Sequence, residues 1–348
     1  MTESAGEKRK NLTNRLFPNG IPNLWSPPLT HYAEKGKIDF PRIQAHITHV
    51  SKHVKAFLIP GSTGDGWEMN DDEIRQLLDF DIKLAEKLDA KILIGVLRTD
   101  ADAVLQTISD TLDWLREKTS FTSNDRIFEK TPVCGFTICP PKGSDLSQQQ
   151  IYDALVSILQ LDVPIALYQL PQVTENEMSP EIVAKLAEKF GNFYLLKDTS
   201  GSDTVALSGL ELNDVFLVRG AEGDYSKWLK ISGGSYDGFL LGSTNCFARQ
   251  LSLIIEKLSA GDTEAAEDLS QRITGVINNM FEAVAGISGG NLFSNAYKAI
   301  DHFFAHGTDA VNIAPPLIHN GDRLPTELIK STAEILNQFN LMPKKGYL

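Results

Sequence analysis

The apolar run Phe193-Tyr194-Leu195-Leu196-Lys197-Asp198 ends on a lysine. Strand alternation puts Phe193, Leu195 and Lys197 on one face. Burying a charged ammonium is costly, so a lysine turned inward is pushed toward the free amine, the form that attacks a carbonyl to make a Schiff base. A lysine at a strand end also has a simpler option, which is to extend its head into solvent. An earlier apolar run, Pro164-Ile165-Ala166-Leu167-Tyr168-Gln169-Leu170-Pro171, places Ala166 and Tyr168 on one face, with Tyr168 at the height where Lys197 emerges. A phenol there can move protons during imine formation and C–C cleavage. A core tyrosine with a locally satisfied hydroxyl is the other reading.

Three loops offer binding groups. Gly61-Ser62-Thr63-Gly64-Asp65-Gly66 combines three glycines with two hydroxyls as the chain leaves a strand. Such a turn suits a backbone nest for a carboxylate or phosphate. It matches neither GxxxxGK[ST] nor GxGxxG, and many tight turns share its composition. Gly220-Ala221-Glu222-Gly223 and Leu241-Gly242-Ser243-Thr244-Asn245 are small and polar, fit either for a hydroxyl-rich substrate or for ordinary turns. His46, His49 and His53 have helical spacing and read as a solvated face. His302 and His306 stand at i, i+4 without the glutamate of HExxH, so a zinc reading fails.

These residues need elements to hold them. Apolar runs bounded by Gly, Pro or Asp recur at Pro22–Ser26, Ala56–Pro60, Lys91–Val96, Val133–Cys139, Pro164–Leu170, Phe193–Asp198, Val215–Gly220 and Gly238–Leu241. Strands of a parallel sheet, buried on both faces, look like this. Amphipathic stretches lie between them: Asp71–Leu88, with three acids at its positive end; Ala101–Leu115; Ser147–Leu161, opening on a cap serine; and a start at Ser179-Pro180-Glu181. Eight strands alternating with helices predict an α/β fold, a (β/α)8 TIM barrel, with an open doubly wound sheet as the rival. After the eighth strand only helices follow, at about 247–258, 263–285, 291–304 and 326–339. The expected organisation is a polar, structureless arm over 1–15, a catalytic barrel over 16–248 and a C-terminal helical extension over 249–348.

Composition narrows the function. The 348 residues are 42% hydrophobic and 22% charged, ample for a large core. Acidic residues outnumber basic ones 45 to 33 for a net charge of −12, with no basic stripe for nucleic acid. No apolar run is long enough to span a membrane, and the N-terminus lacks the apolar stretch of a secretory signal. Three cysteines without CxxC spacing exclude a disulfide scaffold and a cysteine-rich zinc site. A cytoplasmic enzyme without nucleic-acid or membrane partners is expected.

In this order, Gly61-Ser62-Thr63-Gly64-Asp65, Tyr168-Gln169-Leu170-Pro171 and Leu196-Lys197-Asp198-Thr199-Ser200-Gly201 resemble the dihydrodipicolinate synthase/N-acetylneuraminate lyase family of class I aldolases. The likeness runs from about Leu24 to Ala248, and the helical tail fits the same layout. It implies that Lys197 forms the imine with the keto carbon of pyruvate or another 2-oxo acid, and that Tyr168 moves protons. It also implies that Ser62 and Thr63 hold the carboxylate, that Thr199 and Gly220 line the pocket, and that Leu240 forms its apolar wall. A homotetramer or homodimer is implied as well. Thr199-Ser200 and Glu222 look closer to the sialic-acid and 2-keto-3-deoxy sugar acid lyases. Two departures stand out: Cys139-Pro140-Pro141-Lys142 replaces a stretch that often carries a relay tyrosine, and Val173 stands where dihydrodipicolinate synthases keep an arginine.

The expected activity is a Schiff-base lyase or aldolase that cleaves or condenses a 2-oxo acid, such as a 2-keto-3-deoxy sugar acid or a sialic-acid-like substrate, with pyruvate and an aldehyde as partners. It needs no metal and no cofactor beyond the covalent imine on Lys197, and Glu222 and Ser243 are expected to bind distal hydroxyls. Alternatives are imine-dependent dehydration of a deoxy sugar acid, dihydrodipicolinate synthase-type condensation, a non-catalytic 2-oxo acid-binding homologue, and a metal-dependent aldolase, which has no ligand cluster to support it.

Overall fold

The computed structural model describes residues 3–348. Eight strands run in chain order: β1 (Leu24–Trp25), β2 (Ala56–Ile59), β3 (Lys91–Val96), β4 (Val133–Ile138), β5 (Ile165–Gln169), β6 (Phe193–Asp198), β7 (Phe216–Arg219) and β8 (Gly238–Leu240). Before and between them lie α1 (Ala5–Leu16), α2 (Phe40–Val50), α3 (Asp71–Leu88), α4 (Ala101–Thr119), α5 (Asn124–Lys130), α6 (Gln148–Leu159), α7 (Pro171–Thr174), α8 (Pro180–Lys189) and α9 (Thr204–Leu207). Four helices follow β8: α10 (Thr244–Ser259), α11 (Thr263–Val284), α12 (Leu292–His306) and α13 (Thr326–Gln338).

The strands form one sheet in the order β1-β8-β7-β6-β5-β4-β3-β2. The pairs from β3 to β8 are parallel, and a parallel bridge between Ser26 and Phe57 joins the flank of β1 to β2. This is a (β/α)8 barrel with a C-terminal helical extension. An open sheet would leave β1 and β2 as edges. Every residue of β2, β4, β5, β6 and β8 is buried, as strands covered on both faces must be.

Two compact units make up the described chain. One contains residues 3–23, 91–221 and 235–240, and in it α1 packs on α8 and β6 while α6 packs against α4 and α8. The other contains residues 24–90, 222–234 and 241–348; there α10 packs on α2, α11 and α12, and α11 packs on α12 and α13. Among the described residues no helix is long and apolar enough to cross a membrane.

Helix α3 has the expected bounds, because an Asn70–Glu73 capping box starts it and left-handed Asp89 (φ 48°) ends it. Elsewhere the ends differ. Strand β1 shrinks to two residues, since Pro27 and Pro28 have no N–H to continue a ladder. Helix α4 runs a turn past Leu115, with Arg116 and Lys118 favourably placed in its last turn. The largest correction concerns the arm expected over 1–15. It is helical from Ala5, because Ser4 and Glu7 form a capping box. Arg9 anchors it, buried completely and donating to the carbonyls of Phe193, Ala187, Phe190 and Asn213.

Candidate active site

In the first unit, β5 and β6 are continuous apolar strands, and their register sets Tyr168 beside Lys197. Both side chains are buried, at 2% and 4% exposure, so the solvent-reaching lysine is excluded. Lys197 Nζ lies 3.9 Å from the centroid of the Tyr168 ring. At that distance the ring face attracts a cation and offers a phenol within a short swing of the amine. Cys139, just past β4, is close enough to feel Lys197: burial pushes its thiol up to about 12, and the lysine charge pulls the other way.

Two neighbours shape the space around the amine. Gly220 donates its N–H to Asp198 O at 2.6 Å. A Cβ on Gly220 would overlap Thr199 Oγ1 and stand 3.0 Å from Lys197 Cε, so only glycine lets the lysine stem pass in this arrangement. Thr199 Oγ1 is buried with no hydrogen-bond partner among the described residues. Leaving a buried hydroxyl unpaired costs about 1–3 kcal/mol, which makes this one a natural partner for a substrate oxygen.

A polar network missed in the sequence braces the end of β6. Asp198 accepts from Ser200 N at 2.9 Å and Ser200 Oγ at 2.6 Å, and burial raises its carboxyl. Arg219, at the end of β7, grips Asp203 with Nε–Oδ1 at 2.9 Å and Nη2–Oδ2 at 3.0 Å. The Tyr236 hydroxyl reaches Asp203 Oδ1 at 2.6 Å and Asp198 Oδ2 at 3.3 Å. The Asp198–Asp203 spacing after the strand and the arginine ending β7 were the available signals. Leu240 is buried within β8.

In the second unit, Ser62–Gly64 form a 3-10 turn after β2. Trp67 Nε1 donates to Ser62 Oγ at 2.9 Å, Thr63 is buried, and Gly64 O accepts from Thr30 Oγ1 at 2.7 Å. The turn needs its glycine, because a Cβ on Gly64 would come to 2.5 Å from Pro28 O. Helix α12 supports it from behind. Lys298 Nζ pairs with Asp65 Oδ2 at 2.7 Å, fully buried, and Asn291 Nδ2 reaches Ser62 O at 3.2 Å.

Glu222 and Ser243 meet each other, which corrects their expected role. Glu222 Oε1 accepts from Ser243 N at 2.9 Å and Tyr297 O–H at 2.6 Å. Oε2 accepts from Tyr225 O–H at 2.8 Å and Ser243 Oγ at 2.6 Å. A carboxylate has about four lone-pair sites, and all are used. Glu222 therefore ties α12 to the turn before α10 and has nothing left for a sugar hydroxyl. Burial and the Glu222 charge together hold the Tyr225 and Tyr297 hydroxyls well above their ordinary range.

The histidine reading also needs correction. His46 is buried, meeting Asp301 Oδ1 at 3.1 Å, Tyr347 Oη at 3.0 Å and Asn245 Oδ1 at 2.8 Å, because α2 lies under α10. His31, His46 and Asp301 bring their ligand atoms within 4.8 Å of one another. Arg42 takes Asp301 Oδ2 at 2.5 Å, and it is the Arg42 charge that Asp301 balances, which holds its carboxyl well below the usual range.

Fold and site together define a parallel (β/α)8 barrel with a buried lysine–tyrosine pair at the ends of adjacent strands. The profile of the Dihydrodipicolinate synthetase family matches residues 127–294. The chain is 24% identical over 257 residues to the 4-hydroxy-tetrahydrodipicolinate synthase of Escherichia coli O139:H28, covering 73% of this chain and 80% of that one. YagE, an Escherichia coli K12 prophage protein of the dihydrodipicolinic acid synthase family solved with pyruvate, superposes with a TM-score of 0.71 at 17% identity, over 92% of this chain and 98% of that one. A Sulfolobus 2-keto-3-deoxygluconate aldolase solved with D-KDPG gives 0.67 at 15% identity, over 92% and 96%. The chain is thus similar to the dihydrodipicolinate synthase family, both in the stretch the family profile matches and in the fold of these neighbours.

Proposed function

We propose that the chain is a carbon–carbon lyase that cleaves a 2-keto-3-deoxy sugar acid, or a sialic-acid-like relative, through an imine on Lys197. The single observation that carries the reading is the buried Lys197 Nζ, 3.9 Å over the Tyr168 ring, with Gly220 leaving its stem room. The amine attacks C2 of the 2-oxo acid and the carbinolamine loses water, giving a protonated imine. Tyr168 carries the protons exchanged at the C2 oxygen and at the C4 hydroxyl. Loss of the C4 hydroxyl proton breaks C3–C4, and the bonding pair flows into the imine. An aldehyde leaves, the enamine is protonated at C3, and hydrolysis releases pyruvate and the free lysine. The protonated imine is the electron sink, so the sequence of steps calls for no added cofactor.

Ser62 and Thr63 are assigned to the substrate carboxylate and Thr199 Oγ1 to a substrate oxygen. Val173, in α7, brings no charge for a second carboxylate, which favours sugar acids over aspartate semialdehyde. The Sulfolobus aldolase points the same way. We assign a homotetramer or homodimer, which light scattering would measure.

The test is borohydride reduction in the presence of pyruvate, with peptide mass mapping, beside pyruvate release from a panel of 2-oxo acids. One pyruvyl unit on Lys197 and release from 2-keto-3-deoxy sugar acids are expected. Labelling at another lysine overturns the mechanism. Labelling at Lys197 without turnover identifies a 2-oxo acid-binding protein instead.

A further inference from the structure

A concavity of about 620 Å³ lies in the second unit between the end of α2, the α10 helix and residues 340–347. That size suits a small ligand. Its floor is apolar, made by Leu253, Leu269, Phe304 and Pro343, and one end carries His49 stacked on the Tyr347 ring at 4.4 Å between centroids. Its rim carries Lys52, Arg249, Lys344 and Lys345. All four are exposed, and none makes an ion pair or hydrogen bond with another described residue. No aspartate or glutamate is among the described residues lining it.

This charge pattern runs against the rest of the chain, whose acids outnumber its bases by 45 to 33. Four uncompensated cations around one hollow set up a local positive field that a net negative protein otherwise lacks. Arg272 is not counted among them, because its guanidinium is bound to Phe339 O and Asn340 O and faces Asp268 at 3.7 Å. Nor are the two histidines. Burial drops His49 to about 4 and also lowers His53, aided by Lys52 beside each and by Arg249 beside His53, so neither brings charge at neutral pH. An apolar floor favours an apolar body and a cationic rim favours an anionic head.

We propose that this groove binds a small soluble anion with an apolar body, of the aryl or acyl phosphate class, at a site separate from Lys197. Titration calorimetry on the full chain tests it with 1-naphthyl phosphate, inorganic phosphate and 1-naphthol, each with and without saturating pyruvate. Saturable one-to-one binding of 1-naphthyl phosphate, unchanged by pyruvate, is expected, with the other two probes binding far more weakly. The double variant Arg249→Glu/Lys344→Glu, altered only at exposed side chains, should weaken it by about 30-fold, as reversing two rim charges implies. Circular dichroism confirms that the variant is folded. Absence of saturable binding, equal binding of either partial probe, competition by pyruvate, or an unchanged affinity in the double variant would each overturn the proposal.

Discussion

Replacing Gly220 by alanine tests how tightly the site is built around its lysine. The added Cβ would overlap Thr199 Oγ1, stand 3.0 Å from Lys197 Cε and come to 3.3 Å from Asp198 O. Thr199 can turn about χ1 to escape, but the lysine stem is walled in, because Lys197 is only 4% exposed and its head lies on the Tyr168 ring. Overpacking of this kind costs about 1–3 kcal/mol of stability. The chemical penalty should be larger. Moving a nucleophile by a fraction of an ångström to 1 Å from its attack position costs up to about 100-fold in rate. Gly220→Ala should therefore lower the rate of borohydride trapping with pyruvate by about 10- to 100-fold, with a modest fall in Tm. The pair Thr199→Ala and Thr199→Ala/Gly220→Ala separates the two clashes. Removing Oγ1 should recover stability in the double variant, while trapping stays slower than in Thr199→Ala alone because the contact with Cε remains. Wild-type trapping by Gly220→Ala would refute the argument that this glycine exists to let the lysine pass.

Three further outcomes follow from named contacts. Lys298→Met strands the buried Asp65 carboxylate and should cost about 3–5 kcal/mol; because Asp65 adjoins the Ser62–Gly64 turn, steady-state kinetics should show KM for the 2-oxo acid rising more than kcat falls. Arg9→Met leaves four backbone carbonyls without their donor, and urea denaturation should show a loss of about 3 kcal/mol while kcat per folded molecule is retained. Asp81 is buried in α3 with an unpartnered Oδ1, and burial raises its carboxyl well above 3.8. The folded state thus holds this proton more tightly than the unfolded chain, so stability is intact below about 3.8 and falls as pH rises through the raised value. Asp81→Asn should match the native chain at pH 3.5 and exceed it by ~1 kcal/mol at pH 8 in thermal melts, and a gap that shrinks with rising pH would contradict this.

Local periodicity was enough for what lies within one element. Alternation along Phe193–Asp198 put Lys197 inward, and the capping residues around Asp71–Leu88 set both ends of α3. Those patterns depend only on neighbours a few positions away, so they are written in the chain. The Lys197–Tyr168 pair stands halfway between: both faces were legible, but the shared height depends on a register that shifts between Ile165 and Ala166. Barrel closure was not legible at all, since alternating strands and helices serve open and closed sheets equally, and the Ser26–Phe57 bridge is a contact between segments. The arm at the N-terminus shows the same limit. Residues 1–15 read as a structureless arm; Ser4 and Glu7 cap the helix, which is worth forming because Arg9 reaches Phe193, 184 residues away. Glu222 looked like a free acid on a substrate loop, and only folding brought Tyr297, 75 residues on, to its carboxylate. A side chain's type states which bonds it can make, whereas which partners reach it is decided by packing between segments that are distant in sequence, and that packing turned Glu222 from a substrate contact into a brace.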